Sequence, residues 1–169
     1  MSLARRQGIE SETTKSEGAK YGKRQNMIMN KIDAERCSVR SSRIINEYFL
    51  RLMEAPRFNI ALAIIPAKNG VYAFSFGEEI VYVGEAAGSG GLADRILRKH
   101  VAGDESHALQ AEFELKFPDR IARRQHIKSN VGVQWVEIRD SLVVKSVESF
   151  AIYILKPRLN KSVLNRTFR

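Results

Sequence analysis

Four side chains whose chemistry suits a phosphate group lie between residues 72 and 148. Tyr72 and Tyr82 lie in two short apolar runs, and each offers a hydroxyl group that can orient a water molecule. Arg95 lies in a basic helical pattern, and its planar, permanently charged guanidinium can hold a phosphate and stabilise charge that grows on it. Glu148 lies among apolar residues, where an ionised carboxylate is costly unless a cation such as Mg²⁺ pairs with it. These residue types suit metal-assisted chemistry on a phosphate, provided that the fold brings them together.

A β-hairpin and three further elements are predicted to position these side chains. Residues 71–76 and 79–84 are rich in β-branched and aromatic residues, and the Gly-Glu-Glu connector suits a hairpin of two antiparallel strands. Residues 92–101 carry an apolar stripe at helical spacing. The pattern then predicts a strand over residues 131–138 and a helix over residues 141–155, which a Lys-Pro pair ends.

The first part of the chain is predicted to be an extension of the domain. Residues 1–26 are polar and charged without an apolar period, which indicates a flexible basic arm. Residues 27–65 form an N-terminal extension with an amphipathic helix. This helix is predicted to begin behind Ser41 or Ser42 as the N-cap and to end before Pro56.

Two other stretches complete the expected architecture. Residues 58–65 are a continuous apolar run, which periodicity alone leaves open between a buried strand and a short helix. Residues 106–117 and 119–128 indicate one or two helical pieces around Pro118. The order of elements predicts an α+β domain in which helices flank a small, largely antiparallel sheet.

The composition favours a polyanionic partner. The 169 residues suffice for one domain of ordinary size, and 28 Lys and Arg against 19 Asp and Glu give a net charge of +9. Cys37 is the only cysteine, which excludes an intrachain disulfide and a cysteine-built zinc site. No apolar run approaches the ~20 residues that span a bilayer, and the chain does not start like a signal peptide. A cytoplasmic location without a membrane partner is therefore expected.

A glycine-rich loop offers a competing interpretation, which is nucleotide binding. Residues 88–93, Gly-Ser-Gly-Gly-Leu-Ala, fit the pattern G-x-G-x-x-G/A between a strand and a helix. A dinucleotide site requires a parallel βαβ series, whereas the preceding strand here belongs to a hairpin. The chain also lacks a Walker motif, so no nucleotide cofactor is expected.

Five elements in chain order resemble the GIY-YIG nuclease family. They are Gly70-Val71-Tyr72, Tyr82-Val83-Gly84, Arg95, Glu148 and Asn160. Their combination is more specific than any one of them, because valine and tyrosine are common in all strands. The resemblance implies a compact three-stranded sheet flanked by helices across residues 66–162, followed by a basic tail over residues 163–169. It also implies a metal-dependent endonuclease that hydrolyses phosphodiester bonds of double-stranded DNA with Mg²⁺, for which Mn²⁺ can substitute.

The resemblance implies a role for each matching residue. Glu148 would bind the metal, and Arg95 would hold the scissile phosphate. Tyr72 would serve as the general base with Tyr82 near the attacking water, although a phenol with a pKa of about 10 needs a neighbouring charge that lowers this value. Asn160 would orient the site by hydrogen bonding.

The chain departs from the family in the helix that carries Arg95. The family often has a histidine or tyrosine one helical turn after the arginine, but here Lys99 follows it by four residues and His100 by five. Because one residue turns a side chain by about 100° around an α-helix, either of the two could assist catalysis. Lys99 could instead lower the pKa of Tyr72 electrostatically.

Seven further cations are predicted to contact DNA phosphates. They are Arg98, Arg120, Arg123, Arg124, Lys128, Arg158 and Lys161. Such contacts position a duplex and make its affinity depend on salt, but they carry no information about base sequence.

These observations favour a restriction-type endonuclease. A single metal site cuts one strand, so a double-strand break implies a homodimer or two successive events. Three alternatives stay open: a nuclease of DNA repair or mobile elements, a catalytically silent DNA-binding module with the same fold, and an unrelated RNA-binding protein.

Overall fold

The computed structural model describes residues 7–103 and 107–160, with side chains from residue 29 onward. The chain divides into two units, residues 1–43 and residues 44–169. None of the helices in these described ranges carries an apolar stretch of the length that a bilayer requires.

Helix α1, Gln7–Glu54, is far longer than predicted. The prediction that it begins behind Ser41 or Ser42 is wrong. The Ser42 hydroxyl donates to the Ser38 carbonyl at 2.9 Å, one turn earlier in the same helix, so this side chain does not cap a helix start. The helix also covers most of the segment predicted to be a flexible arm, whose mobility stays a prediction.

The apolar stripe predicted at the end of α1 is confirmed within the second unit. Leu52 is completely buried, and Ile45, Tyr48 and Phe49 are half-buried against the same core. Met53, which follows Leu52 and also belongs to the predicted apolar stripe, has 37 % of its surface exposed.

The sheet is antiparallel throughout and has the strand order β1-β4-β2-β3. Its strands are β1 Phe58–Asn59, β2 Gly70–Phe76, β3 Glu79–Ala86 and β4 Gly132–Glu137. The predicted hairpin is confirmed as β2 and β3. The expectation of three strands is wrong, because the two residues of β1 pair with β4. The Asn59 side chain then accepts a hydrogen bond from the Ala61 N–H at 2.9 Å, and this local turn ends β1.

The helices of the second unit match the predicted order. They are α2 Gly91–Ala93, a π-helical segment Asp94–Val101, α3 Ala108–Phe113, α4 Arg120–Asn130 and α5 Ser141–Leu155. The Asp119 and Asp140 carboxylates cap α4 and α5 by accepting backbone N–H groups. Lys156 takes a left-handed conformation with φ 47° and ends α5.

Two hydrophobic cores lie on opposite faces of the sheet, since successive side chains of β2 point to opposite sides. Tyr72 and Phe74 pack with the π-helical segment, α3 and α4. Val71 and Ala73 pack with α5 and the end of α1. The mixed α+β class is confirmed, and Tyr72 belongs to the face that carries the π-helical segment.

Candidate active site

The Tyr72 hydroxyl is the centre of the candidate site. Tyr72 is completely buried, and its hydroxyl lies 2.7 Å from Nε2 of His100. The Tyr82 ring lies 6.2 Å from the Tyr72 ring and 5.0 Å from the His100 ring, measured between centroids. The fold therefore gathers side chains from β2, β3 and the π-helical segment around one hydroxyl group.

Close approach explains both motif glycines. Gly84 pairs with Tyr72 in the β2–β3 register, and a Cβ at Gly84 would lie only 2.5 Å from the Tyr72 hydroxyl oxygen. A Cβ at Gly70 would lie 2.2 Å from the Val136 carbonyl oxygen in β4. Any side chain at these positions would displace the tyrosine or the neighbouring strand.

The π-helical segment decides how His100 and Lys99 are placed. In its hydrogen-bonding pattern a residue bonds to the fifth residue before it, as the Ala102 N–H does to the Leu97 carbonyl at 3.0 Å. A turn of this kind holds more residues than an α-helical turn, so His100 returns to the side of Arg95 despite a spacing of five. His100 is buried beside Tyr72, whereas Lys99 is exposed.

Side chains cap the carboxyl end of the π-helical segment. The Gln110 amide donates to the Val101 carbonyl at 2.6 Å and to the His100 carbonyl at 3.2 Å. Arg124 donates to the Ala102 carbonyl, and Arg120 donates to the Gly103 carbonyl at 2.8 Å. Carbonyls that the helix itself leaves without donors are thus satisfied from α3 and α4.

Arg123 holds this cap together. Only 2 % of its surface is exposed, and its Nε donates to the Gln110 side-chain oxygen at 2.8 Å. A second guanidinium nitrogen donates to the Phe117 carbonyl at 3.3 Å. The prediction that Arg123 contacts phosphate is therefore wrong, because its charge lies inside the domain.

The other predicted phosphate contacts differ in their surroundings. Arg98 pairs with Asp94 at 2.9 Å, and Arg158 pairs with Glu112 at 2.5 Å. Lys128 is exposed on α4, and Lys161 lies outside the described residues.

A cavity of about 440 Å³ adjoins the site at Arg95. The loop of residues 85–91 forms one wall, and Arg95, Lys99 and Lys145 contribute three cations. Lys145, which comes from α5, is a residue that sequence reasoning missed. These cations outnumber the two acidic lining residues, Glu85 and Asp94, and Asp94 already pairs with Arg98, so the cavity is suited to an anionic group that reaches Arg95 from solvent.

Glu148 shares the site with a second carboxylate, Glu85. Burial first, and then the Glu85 charge, raise the pKa of Glu148 to about 7, while Arg95 and a hydrogen bond from the Glu85 backbone N–H oppose this rise. One carboxylate oxygen of Glu85 is buried and finds no hydrogen-bond partner among the described residues. Sequence reasoning missed Glu85, although a carboxylate that directly follows Tyr-Val-Gly in an apolar strand is a detectable signal.

These carboxylates fit a magnesium ion. Mg²⁺ prefers oxygen ligands and keeps several of its waters, so one or two carboxylates suffice. The described part of the chain holds no group of three or more His, Cys, Asp and Glu that could enclose a metal. The unpartnered oxygen of Glu85 lacks the cation or donor that a buried carboxylate requires.

Tyr72 and His100 are both uncharged at neutral pH in the metal-free chain. Burial first, and then the Tyr82 charge, raise the pKa of Tyr72 well above its ordinary value, and Arg95 offsets this only in part. Burial, followed by the charges of Arg95 and His107, lowers the pKa of His100 to about 3. A resting phenolate at position 72 is therefore excluded without a further cation.

Asn160 holds the outer edge of β3. Its side-chain oxygen accepts the Val83 N–H at 2.9 Å, and its amide donates to the Val83 carbonyl at 2.8 Å. Asn160 is buried and thereby fixes the strand segment that presents Tyr82 and Gly84. This geometry suits the orienting role that the resemblance implies.

The raised pKa of Glu148 leads to a prediction about stability without metal. Between pH 4.5 and about 7 the folded chain holds a proton that the unfolded chain has released, so the free energy of unfolding should fall as pH rises through this window. This decrease in the free energy of unfolding should be on the order of 2 kcal/mol, and Glu148→Gln should abolish it. Urea unfolding in EDTA at pH 5 and pH 8 measures it, and Glu114→Gln, at an exposed position, is the control. Equal pH dependence in both variants would contradict the prediction.

Comparisons with known proteins add no further assignment. A scan against protein-family models finds no match, and a search of curated proteins finds no significant relative. The functional argument therefore rests on the residues of the site and their geometry.

Proposed function

We propose that this chain is a metal-dependent DNA endonuclease that hydrolyses phosphodiester bonds. The observation that carries the proposal is the buried Tyr72 hydroxyl, 2.7 Å from His100, on which the charges of both Arg95 and Glu148 act. A phosphate-binding cation, a metal-binding carboxylate and a group able to take a proton from water are the parts that phosphodiester hydrolysis needs.

Glu148 and the unpartnered oxygen of Glu85 would hold the Mg²⁺ ion. When bound, such an ion polarises a phosphoryl oxygen and makes a coordinated water more acidic. The cavity cations Lys99 and Lys145 would draw the DNA backbone towards Arg95. Arg95 then binds the scissile phosphate and stabilises the charge that grows on its oxygens.

Tyr72 and His100 would move the proton of the attacking water. As water attacks phosphorus, its proton passes to the Tyr72 oxygen while the phenolic proton passes to the neutral Nε2 of His100. The bond between phosphorus and the leaving oxygen of the DNA strand breaks in the same step, and that oxygen takes a proton from solvent. His100 then returns its proton to Tyr72, which releases one to solvent before the next turnover. This concerted transfer avoids a resting phenolate, which burial disfavours. The positive charge on His100 exists only while negative charge builds on the phosphate, so the two charges offset each other.

The test is cleavage of supercoiled plasmid and of mixed genomic DNA by the purified chain in Mg²⁺ and in EDTA. Cleavage should require Mg²⁺, and Glu148→Ala, purified in the same way, controls for contaminating nuclease. Discrete genomic fragments would identify a restriction-type enzyme, whereas nicks or a smear would indicate a less specific nuclease. DNA binding without cleavage in either metal condition would overturn the proposal and leave a binding module.

A further inference from the structure

A second cleft lies beside the active-site cavity and has no role in the proposed chemistry. It has a volume of about 890 Å³, and the end of α1, the segment that leads into β2 and the β4–α5 connection form its walls. The cleft shares Ala87, Gly88 and Ser89 with the active-site cavity, so the two adjoin the same loop. We call it the flanking cleft.

Both acidic residues of the flanking cleft are already engaged. Glu137 pairs with Lys68 at 2.9 Å. The Asp140 carboxylate accepts the backbone N–H groups of Leu142 and Val143 as the cap of α5. The cleft carries three cations, Arg51, Lys68 and Arg139, against these two carboxylates, so its net charge is positive.

The two remaining cations are Arg51 and Arg139, both exposed. Arg51 stacks over the Tyr48 ring, with its guanidinium carbon 5.1 Å from the ring centroid, which orders the side chain without neutralising it. No acidic side chain in the described part of the chain pairs with Arg51 or Arg139. The cleft therefore presents two charged guanidinium groups to solvent.

The location of these guanidinium groups suggests that they bind a chain of anions that extends from the active-site cavity. A chain of anions that occupies the active-site cavity at Arg95, Lys99 and Lys145 can continue across the exposed Gly88 and Ser89 into the flanking cleft. Arginine binds phosphate oxygens through paired N–H groups, and such contacts fix the register of a DNA strand.

We propose that the flanking cleft binds the phosphodiester backbone next to the scissile phosphate, through Arg51 and Arg139. The identity of the polyanion as DNA rests on the proposed function. Arg51 and Arg139 would take the phosphate-binding role predicted for three other arginines. Arg123 is buried, and Arg120 and Arg124 donate to carbonyls at the end of the π-helical segment.

Salt-dependent binding of a labelled DNA duplex tests the cleft without requiring cleavage. Fluorescence anisotropy in EDTA would compare the parent chain, Arg51→Gln/Arg139→Gln, and the charge-matched control Lys31→Gln/Lys116→Gln, whose lysines are exposed outside the cleft. The slope of log affinity against log salt should become shallower by roughly two in the cleft variant, about one for each lost phosphate contact. The control should keep the parent slope, and urea midpoints would establish that all three proteins are folded.

The outcomes separate this proposal from the proposed function. A shallower slope confined to the cleft variant supports the cleft even if no DNA is cleaved. An unchanged slope, or an equal change in the control, overturns it even if cleavage is intact. Stronger competition by an RNA duplex of the same length overturns the assignment to DNA, as does a parent chain that binds no duplex.

Discussion

Arg95→Lys should slow single-turnover cleavage of DNA by about 10²- to 10³-fold, while affinity for DNA in EDTA stays nearly constant. Lysine keeps the charge but loses the planar fork, so it cannot donate to Tyr72 and to a phosphate in the same arrangement. The loss should therefore affect the transition state more than the bound ground state. Quenched-flow cleavage at saturating enzyme measures the chemical step directly.

Arg98→Lys is the matched control for this prediction. Arg98 lies on the same π-helical segment and is exposed like Arg95, but it pairs with Asp94 at 2.9 Å, a geometry that a lysine can partly reproduce. Its cleavage rate should remain within about threefold of the parent, in line with the small energies of exposed ion pairs. Similar losses in both variants would show that the helix needs arginine for its structure, which would remove the specific role of Arg95.

Arg123→Ala should lower the free energy of unfolding by about 3 kcal/mol. The change leaves the Gln110 side-chain oxygen and the Phe117 carbonyl without a donor and opens a cavity in the domain. Because Gln110 also donates to the Val101 carbonyl, the cap of the π-helical segment should loosen with it. Urea unfolding in EDTA measures the loss.

Lys128→Ala tests whether the loss of stability comes from removing a buried side chain or from removing any positive charge on α4. Lys128 lies five residues further along α4 and is exposed, so its replacement should change stability by less than about 0.5 kcal/mol. A similar loss in both variants, or a stable Arg123→Ala protein, would contradict the structural role of the buried guanidinium.

Local periodicity explains which parts of the fold the sequence predicts correctly. In the hairpin, β4 and α5, the spacing of apolar residues within the segment is sufficient to predict whether it forms a strand or a helix. The start of α1 was missed because its polar residues have no such pattern and because Ser42 resembles a cap. Local sequence does not reveal that its hydroxyl donates to the Ser38 carbonyl.

The site was predicted in part for a similar reason. Motif spacing predicts Tyr72, Tyr82 and Glu148, because each lies in a strand or helix that the local sequence predicts. The proximity of Glu85 to Glu148 and the burial of Arg123 depend on contacts between elements that are distant in sequence. The choice between Lys99 and His100 depends on the type of helix, since α-helical and π-helical turns differ by one hydrogen-bonding position.

The π-helical segment also bears on how such a site is best described. Sequence patterns count positions, whereas catalysis depends on distances between atoms. A spacing of five residues between Arg95 and His100 brings two groups to one side of this segment, as a spacing of four does in an ordinary helix. A search template for this arrangement is therefore a set of interatomic distances around a tyrosine hydroxyl, in which an added residue within the helix changes the alignment but leaves the chemistry in place.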